Sequence, residues 1–326
     1  MRRIFRGLLI ALLVLVLLVT ALVGVAVYGM KTYSAPGPLP TTRAIYVPHG
    51  TPAALAQSLV EAGVIDSPLA FRIAAFLSGS GGPLRSGEYV FPEHANLLAT
   101  LTILRSAKPV QHKLTIPEGL TAAQIAQLLD RAAAMEGDTP VPAEGEMLPE
   151  TYSYTYGTQR GAMVERARAA MDKALSQVWA ARAANLPLAT PQELLTLASI
   201  VERETSRPEE RAHVAAVFLN RLRHGMKLQS DPTVAYAASG GMTTNDRGLT
   251  RADLEAPNPY NTYVIPGLPP GPIVSPGLAA LQAVAKPLAT DDLYFVADGE
   301  GGHVFARTLD EHNHNVVHWR ALNTKP

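Results

Sequence analysis

Residues 8–27 form an unbroken apolar run, relieved only by Thr20 and Gly24 and containing no charge. At 1.5 Å per residue a helix of this length covers the roughly 30 Å of a bilayer's hydrocarbon core, whereas the apolar part of a cleavable leader has only about 7–15 residues. The run therefore reads as a transmembrane helix, with an uncleaved or slowly cleaved signal as the other reading. Arg2, Arg3 and Arg6 precede it and Lys31 follows it. That asymmetry places the N-terminus in the cytoplasm and residues 31–326 outside, a single-pass protein of the cytoplasmic membrane held in the lipid bilayer through residues 8–27.

The exported part must be stable without disulfides, because none of the 326 residues is cysteine. Thiol nucleophiles and thiolate zinc sites are excluded on the same ground. Lysine plus arginine and aspartate plus glutamate stand at 28 each, so no field of one sign exists to hold nucleic acid. The length suits two modest domains beyond an anchor.

Tyr33-Ser-Ala-Pro-Gly-Pro-Leu-Pro40 reads as a semi-stiff spacer that lifts the outer part off the bilayer. Strand-like 44–48 then leads through His49-Gly50 to Thr51-Pro52, a helix cap with proline at the first helical position. Some 70 residues later the pattern returns: Leu114–Pro117, Glu118-Gly119, and Thr121 with Gln124 as a capping box. Between the two lie a helix over Phe71–Leu77 and a strand over Glu88–Phe91. Helical periodicity covers Gly161–Ala184 and resumes at Pro191; residues 257–276 are too rich in proline for a regular element. Leu293–Ala297 and His303–Phe305 form a hairpin.

The helix opening at Thr190-Pro191-Gln192-Glu193, read as a second capping box, carries the most chemical promise. Leu194, Leu195, Leu197, Ala198, Ile200 and Val201 sweep an apolar arc of roughly 220° on a helical wheel. Glu202 falls between Leu195 and Ala198, and Glu204 falls on the other flank, roughly 160° away. A carboxylate in such surroundings is either paired with a cation or partly neutral, and a neutral carboxyl near pH 7 is what a general acid needs. Arg203, Arg207, Arg211 and Arg221 are the available cations. Glu204 is expected to be structural, in a buried ion pair, with Glu202 unpaired.

Six blocks carry a resemblance: Ala198-Ser-Ile-Val-Glu-Arg-Glu-Thr205, Leu228-Gln-Ser-Asp-Pro-Thr-Val234, Tyr260-Asn-Thr-Tyr263, Gly267-Leu-Pro-Pro-Gly-Pro-Ile273, Leu293-Tyr-Phe-Val-Ala297, and Gly302-His303 followed by Phe305. In this order, behind an N-terminal anchor, they resemble the endolytic murein transglycosylases, also called YceG-like proteins. The resemblance implies that Glu202, the first glutamate of the first block, is the catalytic residue. It implies endolytic cleavage of the MurNAc-GlcNAc bond of peptidoglycan glycan strands, with formation of a 1,6-anhydroMurNAc end. One carboxyl serves as acid for the departing oxygen and then as base for the sugar's 6-hydroxyl. The implied fold is α+β, with a small LysM-like α/β module and a larger mixed catalytic domain built on a central buried helix. The corresponding segments are a cytoplasmic tip and transmembrane helix at 1–30, a linker at 31–42, the LysM-like module at 43–112 and the catalytic domain at 113–326. No cofactor or metal is implied, and His303, His312, His314 and His318 lack the carboxylates of a metal set.

Substrate contact is assigned to Gln229, Asp231, Asn261 and Tyr263, amide, carboxylate and phenol groups suited to sugar hydroxyls and N-acetyl groups. Each has a structural reading too: Asp231 starts a helix, Asn261 closes an Asx-turn and Tyr263 packs. Glu150, in Leu148-Pro-Glu-Thr-Tyr152, stands where the family commonly has aspartate, and Ser230 where it commonly has threonine. Two rival functions stand beside the lytic one: a hydrolytic muramidase using Glu202 with Asp231, about 5–10 Å apart, and a non-catalytic glycan-binding scaffold that holds cell-wall synthases.

Overall fold

The computed structural model describes residues 2–244 and 248–323. Met1 and residues 324–326, the outer ends of the first and last expected segments, lie outside the described residues, as do the side chains of Arg2 and Arg3. The chain divides into two compact units: one runs to His112 and takes in Tyr154–Tyr156, the other comprises Lys113–Ser153 and the chain from Gly157 onward.

The first unit opens with helix α1 (Arg2–Ser34), long and apolar enough to cross a membrane and exposed along its apolar length. Strand β1 (Arg43–Val47) follows, then helices α2 (Pro52–Glu61) and α3 (Pro68–Leu77), strand β2 (Gly87–Phe91) and helix α4 (Leu97–Ser106). β1 and β2 pair antiparallel, with Arg43 opposite Phe91 and Val47 opposite Gly87. Their alternation turns Ile45, Val47, Tyr89 and Phe91 inward onto Leu55, Leu59, Phe71, Leu101 and Leu104. Thr51 and Ser67 cap α2 and α3 through their hydroxyls, each helix with proline in its first turn.

The stretch expected as a semi-stiff spacer is fastened to this unit. α1 continues to Ser34, Leu39 is wholly buried in the small core, Gly37 N–H donates to His94 O at 3.1 Å and His94 N–H to Leu39 O at 2.8 Å. Gly37 passes so close to the 94–95 backbone that a Cβ would stand 2.2 Å from Ala95 O. Proline content indicated stiffness, but one leucine with a core to enter decided the packing.

In the second unit β3 (His112–Thr115) leads to α5 (Ala122–Asp130), whose capping box between Thr121 and Gln124 is complete. β4 (Met135–Glu136), β5 (Thr151–Tyr154) and β6 (Thr158–Gln159) are short; β3 pairs with β5, and β4 runs parallel to β6. Then come α6 (Arg160–Ala180), α7 (Pro191–Glu204), α8 (Arg211–Arg223), α9 (Asp231–Ala238), α10 (Arg251–Glu255) and α11 (Leu278–Ala285). The expected hairpin is present as β7 (Tyr294–Ala297) and β8 (His303–Ala306), paired from Tyr294/Ala306 to Ala297/His303, and α12 (Leu309–Asn323) ends the described chain. The larger core gathers apolar side chains of α6, α7, α8 and α11. The protein is thus mixed α+β with one N-terminal apolar helix.

Candidate active site

α7 starts where its residues dictate: Thr190 Oγ1 accepts from Glu193 N–H at 3.2 Å, with Pro191 in the first turn. The reciprocal half of the expected capping box is displaced, because the Glu193 carboxylate accepts from Ala189 N–H at 2.5 Å. Leu194, Leu197, Ala198, Ile200 and Val201 are fully covered, and so is Ser199, which lies outside the apolar arc. Ser199 Oγ accepts from Ile273 N–H at 3.0 Å, which ties the proline-rich loop to the helix. Farther along that loop Ser275 exchanges backbone bonds with the turn after β3, through Gly119 N–H to Ser275 O (3.0 Å) and Ser275 N–H to Leu120 O (2.8 Å). Loop, turn and helix therefore converge on Glu202.

The Glu202 side chain is only 5% exposed. Its Oε2 accepts from Gly277 N–H at 2.9 Å and its Oε1 from Arg211 at 3.3 Å. The same Arg211 nitrogen reaches the Glu118 carboxylate at 3.5 Å, and Glu118 is 44% exposed. Glu118 lies across Gly277 so closely that a Cβ there would stand 1.8 Å from its Oε1; only glycine admits the arrangement. Nε of Arg203 and Nε of Arg211 are buried without a partner among the described residues, donors left free beside the carboxylate. Burial raises the Glu202 pKa and outweighs the Gly277 N–H and Arg211, which lower it; the negative charge of Glu118 adds to the rise.

Glu204 corrects the expected division of labour. The ion pair belongs to Glu202, through Arg211 at the start of α8, whereas Glu204 accepts a hydrogen bond from Ser230 Oγ at 2.8 Å. Arg221, the cation nearest in charge to Glu204, turns its guanidinium to Leu293 O and Leu228 O, each at 2.7 Å. Burial, with Asp231 adding its charge, pushes the Glu204 pKa up to about 7.

Two of the four expected substrate contacts, Asp231 and Tyr263, lie within electrostatic reach of Glu204. Gln229 is exposed and adopts φ +51°, a left-handed conformation costly for a residue with a side chain. Asp231 begins α9, ahead of Pro232, as foreseen, but Ser230 gives no side-chain cap because its hydroxyl faces Glu204. Tyr263 Oη–H donates to Asp231 Oδ1 at 2.6 Å. Asn261 departs from its assignment: it is wholly buried, its Nδ2 donates toward Asp253 O, Leu254 O and Ala256 O, and its Oδ1 accepts from Tyr263 N–H at 3.0 Å in an Asx-turn. No polar group of Asn261 is left for a sugar. No hydrogen bond or ion pair joins Asp231 to Glu202 among the described residues. Glu150 is exposed and engaged by its backbone, whose carbonyl accepts from Ile116 N–H at 3.0 Å. His303 pairs with Glu210 at 2.7 Å, in the same manner as His213 with Asp292.

Sequence reasoning missed Glu118, Arg211 and Gly277 as a group. Glu118 had been noticed only as part of a Pro-x-Gly turn; a carboxylate held in a turn that glycine makes was the available signal.

The sequence pattern of the YceG-like family matches residues 45–318. This chain belongs to that family. A Bacillus subtilis (strain 168) protein named endolytic murein transglycosylase is 31% identical over 306 residues, 84% of this chain and 83% of its own length. A protein of the same name from Streptococcus pneumoniae serotype 2 is 33% identical over 250 residues, 64% of this chain but 45% of that longer protein. The fold is shared with a yceG-like protein of known crystal structure from Listeria monocytogenes, at TM-score 0.54 and 27% identity, covering 84% of this chain and 98% of that one.

Proposed function

We propose that this family member is a membrane-anchored peptidoglycan lytic transglycosylase in which Glu202 is general acid and then base. It is an enzyme of the class its relatives are named for, endolytic murein transglycosylases. The observation that carries the assignment is the Glu202 carboxyl itself: nearly covered, raised in pKa, and bordered by an exposed carboxylate and two unpartnered guanidinium nitrogens. Protonated Glu202 gives its proton to the glycosidic oxygen as the bond to MurNAc C1 breaks. The resulting carboxylate, stabilised by Arg211 and Gly277 N–H, then takes the proton of the sugar's 6-hydroxyl as that oxygen bonds to C1. The ring closes and no water is consumed.

Asp231 gives the hydrolytic rival little support, since its Oδ1 is engaged by Tyr263 and its charge acts on Glu204. Digestion of purified sacculi followed by mass spectrometry tests the function: anhydro ends are expected, and fragments heavier by one water would make the enzyme a muramidase. A second reading, Glu204 as the acid, has a specific observation in its favour, a carboxyl titrating at about 7 beside Ser230, Asp231 and Tyr263. Glu202→Gln and Glu204→Gln, compared for turnover and stability, separate the two.

Residues 43–112 act in this reading as a LysM-like module that grips glycan while residues 113–326 perform the chemistry. The strand–helix–helix–strand order closed by β1 and β2 supports a module with its own core. α1 is the anchor, N-terminus in the cytoplasm, and the catalytic part works on the cell-wall side; cell-wall synthases are the protein partners this location offers.

A further inference from the structure

α3 has no polar face. Of its residues Pro68–Leu77 only Arg72 carries a polar side chain. Phe71 and Ala74 enter the small core, yet Leu69, Ile73, Phe76 and Leu77 are left 62%, 50%, 85% and 77% exposed. A helix apolar all round normally lies inside protein or in lipid, and a large apolar patch on a surface marks an interaction site.

What lies beside that patch identifies the partner. An open apolar groove of about 550 Å³ runs between Val25, Tyr28, Gly29 and Tyr33 of α1 and Ile73 and Leu77 of α3. The groove cannot drift far from α1, because Gly37 is hydrogen-bonded to the same unit and Leu39 is buried in it. If residues 8–27 fill the roughly 30 Å hydrocarbon core, Val25–Tyr33 lie at its outer boundary, the level tyrosines favour. We propose that α3 is a membrane-interfacial helix: Leu69, Ile73, Phe76 and Leu77 enter the outer leaflet of the bilayer that α1 spans, and the groove takes lipid acyl chains. The proposal rests on the anchored reading of α1. Arg72 is exposed on the same face, with a stem long enough to stay in lipid while its guanidinium reaches a phosphate. Continuity with α1 favours lipid over a second copy or another protein, either of which would have to displace the bilayer from a patch that borders it.

The absence of native cysteine makes the test direct. The full chain, carrying Phe76→Cys or Val14→Cys labelled with an environment-sensitive fluorophore, is reconstituted in vesicles of phosphatidylcholine and phosphatidylglycerol. Quenching by spin-labelled lipid and by aqueous iodide is then measured. Both positions are expected to show blue-shifted emission, loss of intensity with spin-labelled lipid, and protection from iodide. Lipid quenching at 14 with iodide quenching at 76 would overturn the proposal and leave the anchor standing. A label at 76 shielded from both quenchers would overturn it in favour of a protein occupant. A label at 14 that escapes lipid quenching would remove the anchor, and the proposal with it.

Discussion

Replacing Glu202 by glutamine removes a transferable proton and changes little else in shape. Its two partners, Gly277 N–H at 2.9 Å and Arg211 at 3.3 Å, both donate, and glutamine offers one oxygen where the carboxylate offered two. One contact therefore becomes donor against donor, a loss of roughly 1.5–3 kcal/mol, set against release of a buried charge of opposite sign in its effect. The melting temperature should move by only a few degrees, while turnover of sacculi falls by about 10²–10⁴-fold, the loss expected for a general acid. Glu204→Gln should show the opposite pattern. A carboxyl whose pKa rises from 4.5 to about 7 on folding makes the folded state take up protons. Its contribution to stability is complete below pH 4.5 and is lost as pH climbs to about 7, a difference on the order of 3 kcal/mol. Glutamine, which keeps an oxygen for Ser230, escapes that loss. Glu204→Gln should thus melt roughly 5–10 °C above the parent at pH 8 and level with it at pH 4, with activity retained. Thermal melts at the two pH values, read beside release of anhydro-muropeptides from sacculi, check both variants. A folded Glu202→Gln enzyme with parental turnover beside an inert, folded Glu204→Gln enzyme would refute the assignment and exchange the roles.

Asn261→Ala should cost about 1–3 kcal/mol in denaturant unfolding, because part-buried carbonyls at the end of α10 lose their donor, while the KM of the folded fraction stays near parental. Gln229→Gly should relieve the left-handed strain and raise stability by about 1 kcal/mol in chemical denaturation; if the side chain holds sugar, KM rises at the same time. Tyr263→Phe removes the 2.6 Å bond to the exposed Asp231, so a loss of no more than about 1 kcal/mol is expected, with KM raised more than kcat is lowered in digestion assays. Gly277→Ala should expel Glu118 from its place over the backbone and cut activity at least about tenfold with a native circular dichroism spectrum; parental turnover would show that Glu118 is dispensable.

Local signals carried much of the architecture. Thr51, Thr121 and Thr190 mark helix starts that the structure has, and the apolar arc of α7 announces a helix that is covered. The hairpin of β7 and β8 was visible in alternation and turn residues. Partners set by long-range folding were not visible. Arg211 and Arg221 are equivalent on paper, but the first begins α8 facing Glu202 while the second is drawn off by the carbonyls of Leu228 and of Leu293, the latter 72 residues away. Asn261 looked like a recognition group because a loop amide advertises its capacity and conceals whether it is already satisfied. Glu118 was hidden for a related reason, since its place beside Glu202 depends on backbone bonds between residues 119 and 275.

The anchoring of residues 37–39 bears on how such an enzyme finds its substrate. A tether of free chain would let the first unit roam a volume whose radius grows with the square root of the tether's length. Here the end of α1 is bonded straight into the folded unit, so no slack exists to extend. If α1 is the anchor proposed above, diffusion of the first unit is reduced from three dimensions to two, and that unit travels laterally within a thin layer of fixed height above the membrane. Under that reading, glycan emerging into the layer is met repeatedly by the first unit, and wall material beyond it is out of that unit's range.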